Sequence, residues 1–143
     1  MKFLRYLLAL VAGVLVAGFV VAGIEALGHT VYPPPKGLDT TNMEQLRAVV
    51  EAMPVGALLF VMLAWIAGAY VGGVVAARLA PGHRGLMAGI IGALILAGAV
   101  ANLIMIPHPL WFSIVSVLAV LVATTLAAWA GRRRDHAARP PEA

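Results

Sequence analysis

Long runs of uncharged residues separate the few charged positions of this chain, and these runs predict its helices. A helix that crosses the hydrocarbon core of a membrane needs about 20 apolar residues, because each residue advances the helix by about 1.5 Å. Two runs have the length of a single crossing, with 19 and 26 uncharged residues. They predict helices over residues 5–27 and 54–79.

A third uncharged run is too long for one crossing. It holds 47 residues, which as a single helix would extend for roughly 70 Å, more than twice the thickness of the hydrocarbon core. Pro107 and Pro109 lie near its middle, and proline removes a backbone donor and displaces the preceding residue from helical geometry. The run therefore predicts two helices, 85–106 and 110–130, with a turn between them.

The outer loop between the first two predicted helices, residues 28–53, has a different pattern. Three consecutive prolines predict a stiff polyproline segment, and Gly37 then allows a turn. Apolar side chains recur at helical spacing after the turn, and Thr41 and Glu44 have the spacing of a capping box. This pattern predicts a short amphipathic helix over 42–53, lying on the outer membrane surface or over the mouth of the bundle.

Basic residues indicate the orientation of the helices. Eight of the ten lysines and arginines flank helix ends on one side of the predicted membrane, and such residues are enriched on the cytoplasmic side. We therefore expect an all-α integral membrane four-helix bundle with both termini in the cytoplasm. Residues 1–131 would form its single membrane domain, and residues 132–143 a basic, disordered cytoplasmic tail.

The first predicted helix could instead be a cleaved signal peptide, because basic residues precede its apolar core. That core is longer than is typical of signal peptides, and no clear Ala-x-Ala cleavage site follows it. The pattern therefore favours a retained helix.

Composition agrees with a membrane protein and narrows the possible chemistry. Of the 143 residues, 62% are hydrophobic and 11% are charged, whereas about a quarter of the residues of a soluble domain are charged. The chain has no cysteine, which excludes disulfides and thiolate ligands. Motifs of hydrolases, phosphate-binding loops, dinucleotide-binding folds and zinc sites are missing. We therefore expect no enzyme activity, no cofactor, no metal and no nucleic-acid partner.

Small residues at four-residue spacing predict where the helices pack. In lipid, helices associate through close backbone approach, which small side chains permit. The same pattern fits packing within one chain, a homo-oligomer or contact with another membrane protein. The glycines expected at packing faces are Gly13, Gly18, Gly68, Gly72, Gly85, Gly89 and Gly92.

Four polar side chains near the predicted outer ends of the helices are candidates for a binding site. Glu25 and His29 lie four residues apart, on one face of the first helix. Asn102 and His108 are expected at similar depth. Ionisable residues inside membrane spans are costly and often functional, so the four could form a polar, ion or lipid site. In the alternative interpretation, Glu25 reaches the interface, His29 caps its helix and Asn102 bonds a neighbouring helix.

Trp65 and Tyr70 are unusual because they fall near the middle of the second long predicted helix. Buried tryptophan and tyrosine usually have a hydrogen-bond partner. Both could therefore face a ligand, or alternatively pack inside the bundle.

Part of the chain resembles a family of known sequences. The outer-loop motif is Tyr32, Pro33, Pro34, Pro35, Gly37 and Asp39, followed by Asn42 and Glu44, and a second motif is Asn102, Pro107, Pro109, Trp111 and Phe112. Together they resemble an uncharacterised family of small bacterial four-helix inner-membrane proteins. The resemblance covers nearly the whole chain outside the tail. It implies the four-helix topology and no particular activity.

Three functional hypotheses follow. The first is a non-enzymatic structural or accessory protein that assembles with itself or with a membrane partner, and it rests on the packing glycines and the lack of catalytic motifs. The second is a small oligomeric transporter or channel with a polar site near the outer face. The third is a lipid-binding membrane protein that uses the outer-loop helix and the polar cluster.

Overall fold

The structure, a computed structural model, describes residues 2–37, 39, 41–106 and 108–137. In these residues there is no strand, and four of the helices are long and apolar enough to cross a membrane. The helices are α1 (Lys2–Val31), α2 (Met43–Glu51), α3 (Val55–Leu79), α4 (Arg84–Met105) and α5 (Leu110–Ala137). The predicted all-helical fold with four long apolar helices is therefore confirmed for the described part of the chain.

Local sequence accounts for most helix boundaries. α3 and α4 begin and end within one residue of the predicted positions. α1 is longer than predicted and continues to Val31, where the amide of Tyr32 still donates to the carbonyl of Gly28 at 2.8 Å. It stops before Pro33, because proline disfavours helical geometry in the residue that precedes it. Pro107, the other predicted turn residue, lies outside the described residues.

α5 extends beyond the predicted boundary at residue 131. The segment expected to be a disordered tail is helical as far as Ala137, the last described residue, and residues 138–143 lie outside the description. A carboxylate holds this extension against α4. Oδ2 of Asp135 accepts a hydrogen bond from the amide of Arg84 at 2.9 Å, and Oδ1 lies 3.8 Å from its guanidinium. Tertiary contact thus extends a helix that composition alone did not predict.

α3 is the central helix of the bundle. It packs against α1 on one side and against α4 and α5 on another, and α4 and α5 also pack together. We call one end of the bundle the terminal end: it contains the start of α1, the α3–α4 turn and the last turns of α5. The opposite end, the α2 end, contains α2, the start of α3 and the α4–α5 turn.

Glycines bring α1 and α3 into direct backbone contact. A Cβ atom added at Gly72 would lie 2.6 Å from Cβ of Ala17 and 2.7 Å from the carbonyl oxygen of Gly13. A Cβ atom at Gly68 would lie 2.6 Å from a methyl group of Val21. No ordinary side chain fits at these distances, so the interface depends on the missing methyl groups.

The other predicted packing glycines divide into two groups. Gly85 and Gly92 of α4 lie against α5, where an added Cβ atom would collide with neighbouring atoms. Gly18 and Gly89 have no atom within 4 Å of the position of a Cβ atom. The four-residue pattern therefore occurs both on packed faces and on faces that point away from the bundle.

The buried residues differ in size along the bundle. Toward the α2 end, the largest cluster contains Trp65 and Phe112, whose ring centroids lie 5.9 Å apart. Toward the terminal end, the buried residues are mostly alanines, with Met87 and Ile91. Large buried side chains are therefore found toward the α2 end, and small ones toward the terminal end.

Candidate functional site

A short network of hydrogen bonds shapes the loop that leads into α2. Gly37 has φ of 79°, a left-handed conformation that glycine adopts without strain. Oδ1 of Asp39 accepts hydrogen bonds from the Thr41 amide at 2.9 Å and from its hydroxyl at 2.6 Å. Asn42 caps α2, with its side-chain oxygen accepting from the amides of Glu44 at 3.0 Å and Gln45 at 3.2 Å. The cap is thus Asn42 and not Thr41, because the Thr41 hydroxyl donates to Asp39.

The same bonds affect the acidity of Asp39. The Thr41 hydroxyl, and then the Thr41 amide, stabilise the charged carboxylate and lower its pKa below the usual value. Asp39, the last residue of the outer-loop motif, therefore holds the turn before α2 in place.

A cavity lies at the α2 end, where α1, the proline segment, α2 and α3 meet. Its volume is about 540 Å³, and it is partly open. Ligand sites commonly have volumes of about 300–1,000 Å³. The lining residues are Glu25, Gly28, His29, Val31, Tyr32, Pro33, Pro34, Pro35, Ala48, Val49, Ala52, Met53, Pro54, Ala57, Phe60 and Val61.

Two aromatic side chains form one corner of this cavity. The rings of Tyr32 and Phe60 meet edge to face, with centroids 6.2 Å apart and planes at 65°. Both depend on neighbouring glycines. The Tyr32 hydroxyl lies directly against Gly56, and a Cβ atom at Gly28 would lie 2.9 Å from Cβ of Phe60. These close approaches attach the proline segment and the end of α1 to the start of α3.

Glu25 and His29 supply the ionisable groups of the cavity wall. They lie one turn apart on α1, with Glu25 half-buried and His29 exposed. Neither side chain forms a hydrogen bond or ion pair with another described residue. The remaining lining is apolar apart from the Tyr32 hydroxyl and the backbone. The cavity is therefore an apolar space with a carboxylate and an imidazole at its edge.

The other two members of the predicted polar cluster do not line the cavity. Asn102 lies on an exposed face of α4. His108 lies in the α4–α5 turn, where its Nδ1 is 2.7 Å from the carbonyl oxygen of Ile106 and its ring stacks on Phe112 at 5.1 Å. Because a carbonyl only accepts, Nδ1 of His108 donates this bond. The structure thus brings together one pair of the four candidates and gives His108 a role in shaping a turn.

Trp65 and Tyr70 lie on different faces of α3. Trp65 is buried against Phe112, as in the packing interpretation. Tyr70 is 42% exposed and borders a small crevice of about 100 Å³ between α3 and α5, together with Arg78 and Gly131. The two aromatic residues therefore do not share a site.

Polar contacts join the helices at the terminal end. The hydroxyl of Tyr6 on α1 lies 3.2 Å from Nδ1 of His83, which has the uncommon φ of 49° for a residue other than glycine. Asp135 caps the start of α4 through the Arg84 amide, where a negative charge is favourable. These groups have polar partners within the chain, whereas Glu25 and His29 have none among the described residues. In the described residues, no three His, Cys, Asp or Glu side chains converge on one point.

Sequence reasoning missed the walls of the cavity that α2 and α3 provide. Val49, Ala57 and Phe60 are ordinary apolar residues in helical patterns, and nothing local marks them as lining a site. Gly28 and Gly56 could have indicated close packing at this end of the bundle. Gly28 lies in the last turns of α1 and Gly56 in the first turn of α3, and each leaves space for an aromatic ring. Asp135 was also missed as the residue that caps α4.

Comparisons of this chain with protein-family models, with curated proteins and with solved structures each found no match. The function must therefore be inferred from the geometry of the chain itself.

Proposed function

We propose that this chain is an integral membrane protein, without enzymatic activity, that binds the apolar part of a membrane amphiphile in the cavity at the α2 end. The observation that supports this most directly is the cavity, which has the volume of a ligand site and largely apolar walls. A water-filled space with such walls is unfavourable, because the transfer of apolar surface out of water lowers the free energy. An acyl chain or a similar apolar group would fill it.

The proposed setting is the plasma membrane of a bacterium, with both termini in the cytoplasm. The support is the distribution of basic residues, eight of ten on one side, and the resemblance of the loop motifs. In this orientation, the α2 end faces outward. α1 advances by roughly 30 Å between Arg5 and Glu25, so Glu25 lies near the outer edge of the hydrocarbon core. The cavity would then be accessible to the outer leaflet.

The test compares the wild type with two phenylalanine variants. Ala57→Phe fills the cavity from the α3 wall, whereas Ala26→Phe adds the same ring to an exposed position of α1 outside the cavity. Each protein is purified from native membranes in mild detergent, and bound amphiphiles are identified by native mass spectrometry. We expect similar occupancy in wild type and Ala26→Phe, and a loss of about tenfold or more in Ala57→Phe. Equal occupancy in all three proteins would overturn the proposal.

A second candidate function, assembly with another copy or with a membrane partner, has its own observation. Gly18, Gly89 and Gly98 lie in long apolar helices with no atom within 4 Å of a Cβ position. Such sites allow a second helix to approach closely. Gly18→Ile should then reduce the mass of the detergent-solubilised complex in light scattering. A complex of unchanged mass would exclude Gly18 from an assembly interface.

A further inference from the structure

We propose that the ligand of this cavity is a monovalent organic cation with an apolar body, and that the carboxylate of Glu25 pairs with its charge. This inference rests on the proposed function, because it names the chemical class of the molecule that the cavity binds.

The charge of the cavity wall points to a cation. Glu25 is the acidic residue of the lining, and it has no hydrogen bond or ion pair with another described residue. A carboxylate beside apolar walls loses hydration, and a paired cation offsets that cost. Lys36 and Arg47, the basic residues of the loop, lie outside the lining. The described residues of the wall therefore offer no lysine or arginine to a phosphate or another anion.

The aromatic corner also favours a cation. The faces of aromatic rings attract positive charge, and organic ammonium groups are recognised in this way in many proteins. Tyr32 and Phe60 line the same cavity as Glu25. A carboxylate together with two aromatic rings can therefore replace the water that surrounds an organic cation.

The apolar walls distinguish an organic cation from a metal ion. Calcium binds six to eight oxygen ligands, and magnesium keeps a nearly complete octahedron of oxygens. The cavity provides one carboxylate, an imidazole and a phenol. Contact of an apolar body with Val49, Ala57 and Phe60, in contrast, is favourable because it removes apolar surface from water.

The experiment uses two hydrophobic ions of matched size and opposite charge, tetraphenylphosphonium and tetraphenylborate. The full chain is placed in nanodiscs of zwitterionic lipid, and partitioning into empty nanodiscs is subtracted. All assays are run at the same pH of about 8. We expect saturable binding of tetraphenylphosphonium to the wild type and none of tetraphenylborate. Equal binding of both ions would overturn the inference.

Glu25→Gln removes the charge while keeping the size of the side chain. We expect it to weaken tetraphenylphosphonium binding by about tenfold or more, equivalent to about 1.4 kcal/mol. Glu51→Gln is the matched control, because Glu51 is an exposed acid at the end of α2 and outside the lining. It should retain wild-type affinity. If Glu25→Gln does not fold, Glu25→Asp against Glu25→Ala supplies the same comparison, with binding retained only where the carboxylate remains.

Cavity-filling variants separate failure of this inference from failure of the proposed function. Ala57→Phe fills the space from α3 and Val49→Trp fills it from α2, and both should abolish binding. If they abolish binding while Glu25→Gln binds as well as the wild type, the cavity binds amphiphiles without regard to charge and the cation inference is wrong. If both filled variants bind tetraphenylphosphonium normally, the cavity is not the site and both proposals fail.

Discussion

The hydrophobic core clusters at the two ends of this bundle differ in the size of their residues. At the terminal end, Gly13 and Gly72 bring backbones together, and alanines fill the buried positions. At the α2 end, Trp65, Phe112 and Phe60 occupy the space between helices, and a cavity of about 540 Å³ lies beside them. The difference indicates that side-chain volume affects how closely the helices pack, since the core clusters are hydrophobic at both ends.

The polar groups differ between the ends in the same way. Two polar pairs link separate elements at the terminal end. Tyr6 of α1 contacts His83 in the α3–α4 turn, and Asp135 of α5 contacts Arg84 of α4. Glu25 and His29 at the α2 end have no partner among the described residues. Where helices converge, short polar contacts can form between them. Beside the cavity at the α2 end, the side chains of Glu25 and His29 remain available to a ligand.

The largest expected effect on stability comes from separating α1 and α3 toward the terminal end. Gly72→Leu would place a side chain where backbone of α1 now lies, so it should destabilise the protein by about 3 kcal/mol or more. Gly23→Leu is the control, because a Cβ atom there meets no neighbour within 4 Å. Unfolding in mixed micelles with increasing SDS measures the difference. Equal stability of the two variants would show that the α1–α3 contact is not close.

Removing an aromatic side chain from the α2 end should have the next largest effect. Phe60→Ala removes the contacts with Tyr32 and Gly28, at a cost of about 2 kcal/mol for a half-buried ring. Hydrogen exchange should accelerate in the last turn of α1 and in α2. Exchange in α4 near Gly85 should stay unchanged. Faster exchange at both ends would mean that the contacts of Phe60 do not stabilise the α2 end separately from the terminal end.

The cap that Asp135 supplies to α4 should contribute less to the free energy of unfolding. Asp135→Ala removes an acceptor from the Arg84 amide and a charge from the start of α4, which should cost about 1 kcal/mol. Asp135→Asn keeps an acceptor oxygen and should cost less. Amide exchange in the first turn of α4 reports the loss directly. If both variants exchange like the wild type, the end of α5 does not cap α4.

The smallest effect concerns the pH dependence of the loop before α2. The folded-state pKa of Asp39 is lowered by the Thr41 hydroxyl and amide, so the stabilisation is present above the ordinary aspartate pKa. It should be lost as the pH falls through the lowered value, below about pH 4. An NMR titration of the Asp39 carboxyl carbon measures this, with Thr41→Val as the control that moves the midpoint upward. A midpoint at or above the usual aspartate value would contradict the hydrogen-bond network.

Local sequence determined the four long apolar helices and the turn at Gly37, because these depend on hydrophobic run length, proline and glycine over a few neighbouring residues. It also singled out Glu25 and His29, since an acid and a histidine one turn apart in an apolar helix are visible without any fold. Tertiary structure alone decided that Gly13 is packed and Gly18 is not, although the two have the same local pattern. It separated Asn102 and His108 from Glu25, and it extended α5 through Asp135. These outcomes depend on how far apart the helix axes lie, a distance set by side chains on neighbouring helices and therefore not encoded in any single run of residues.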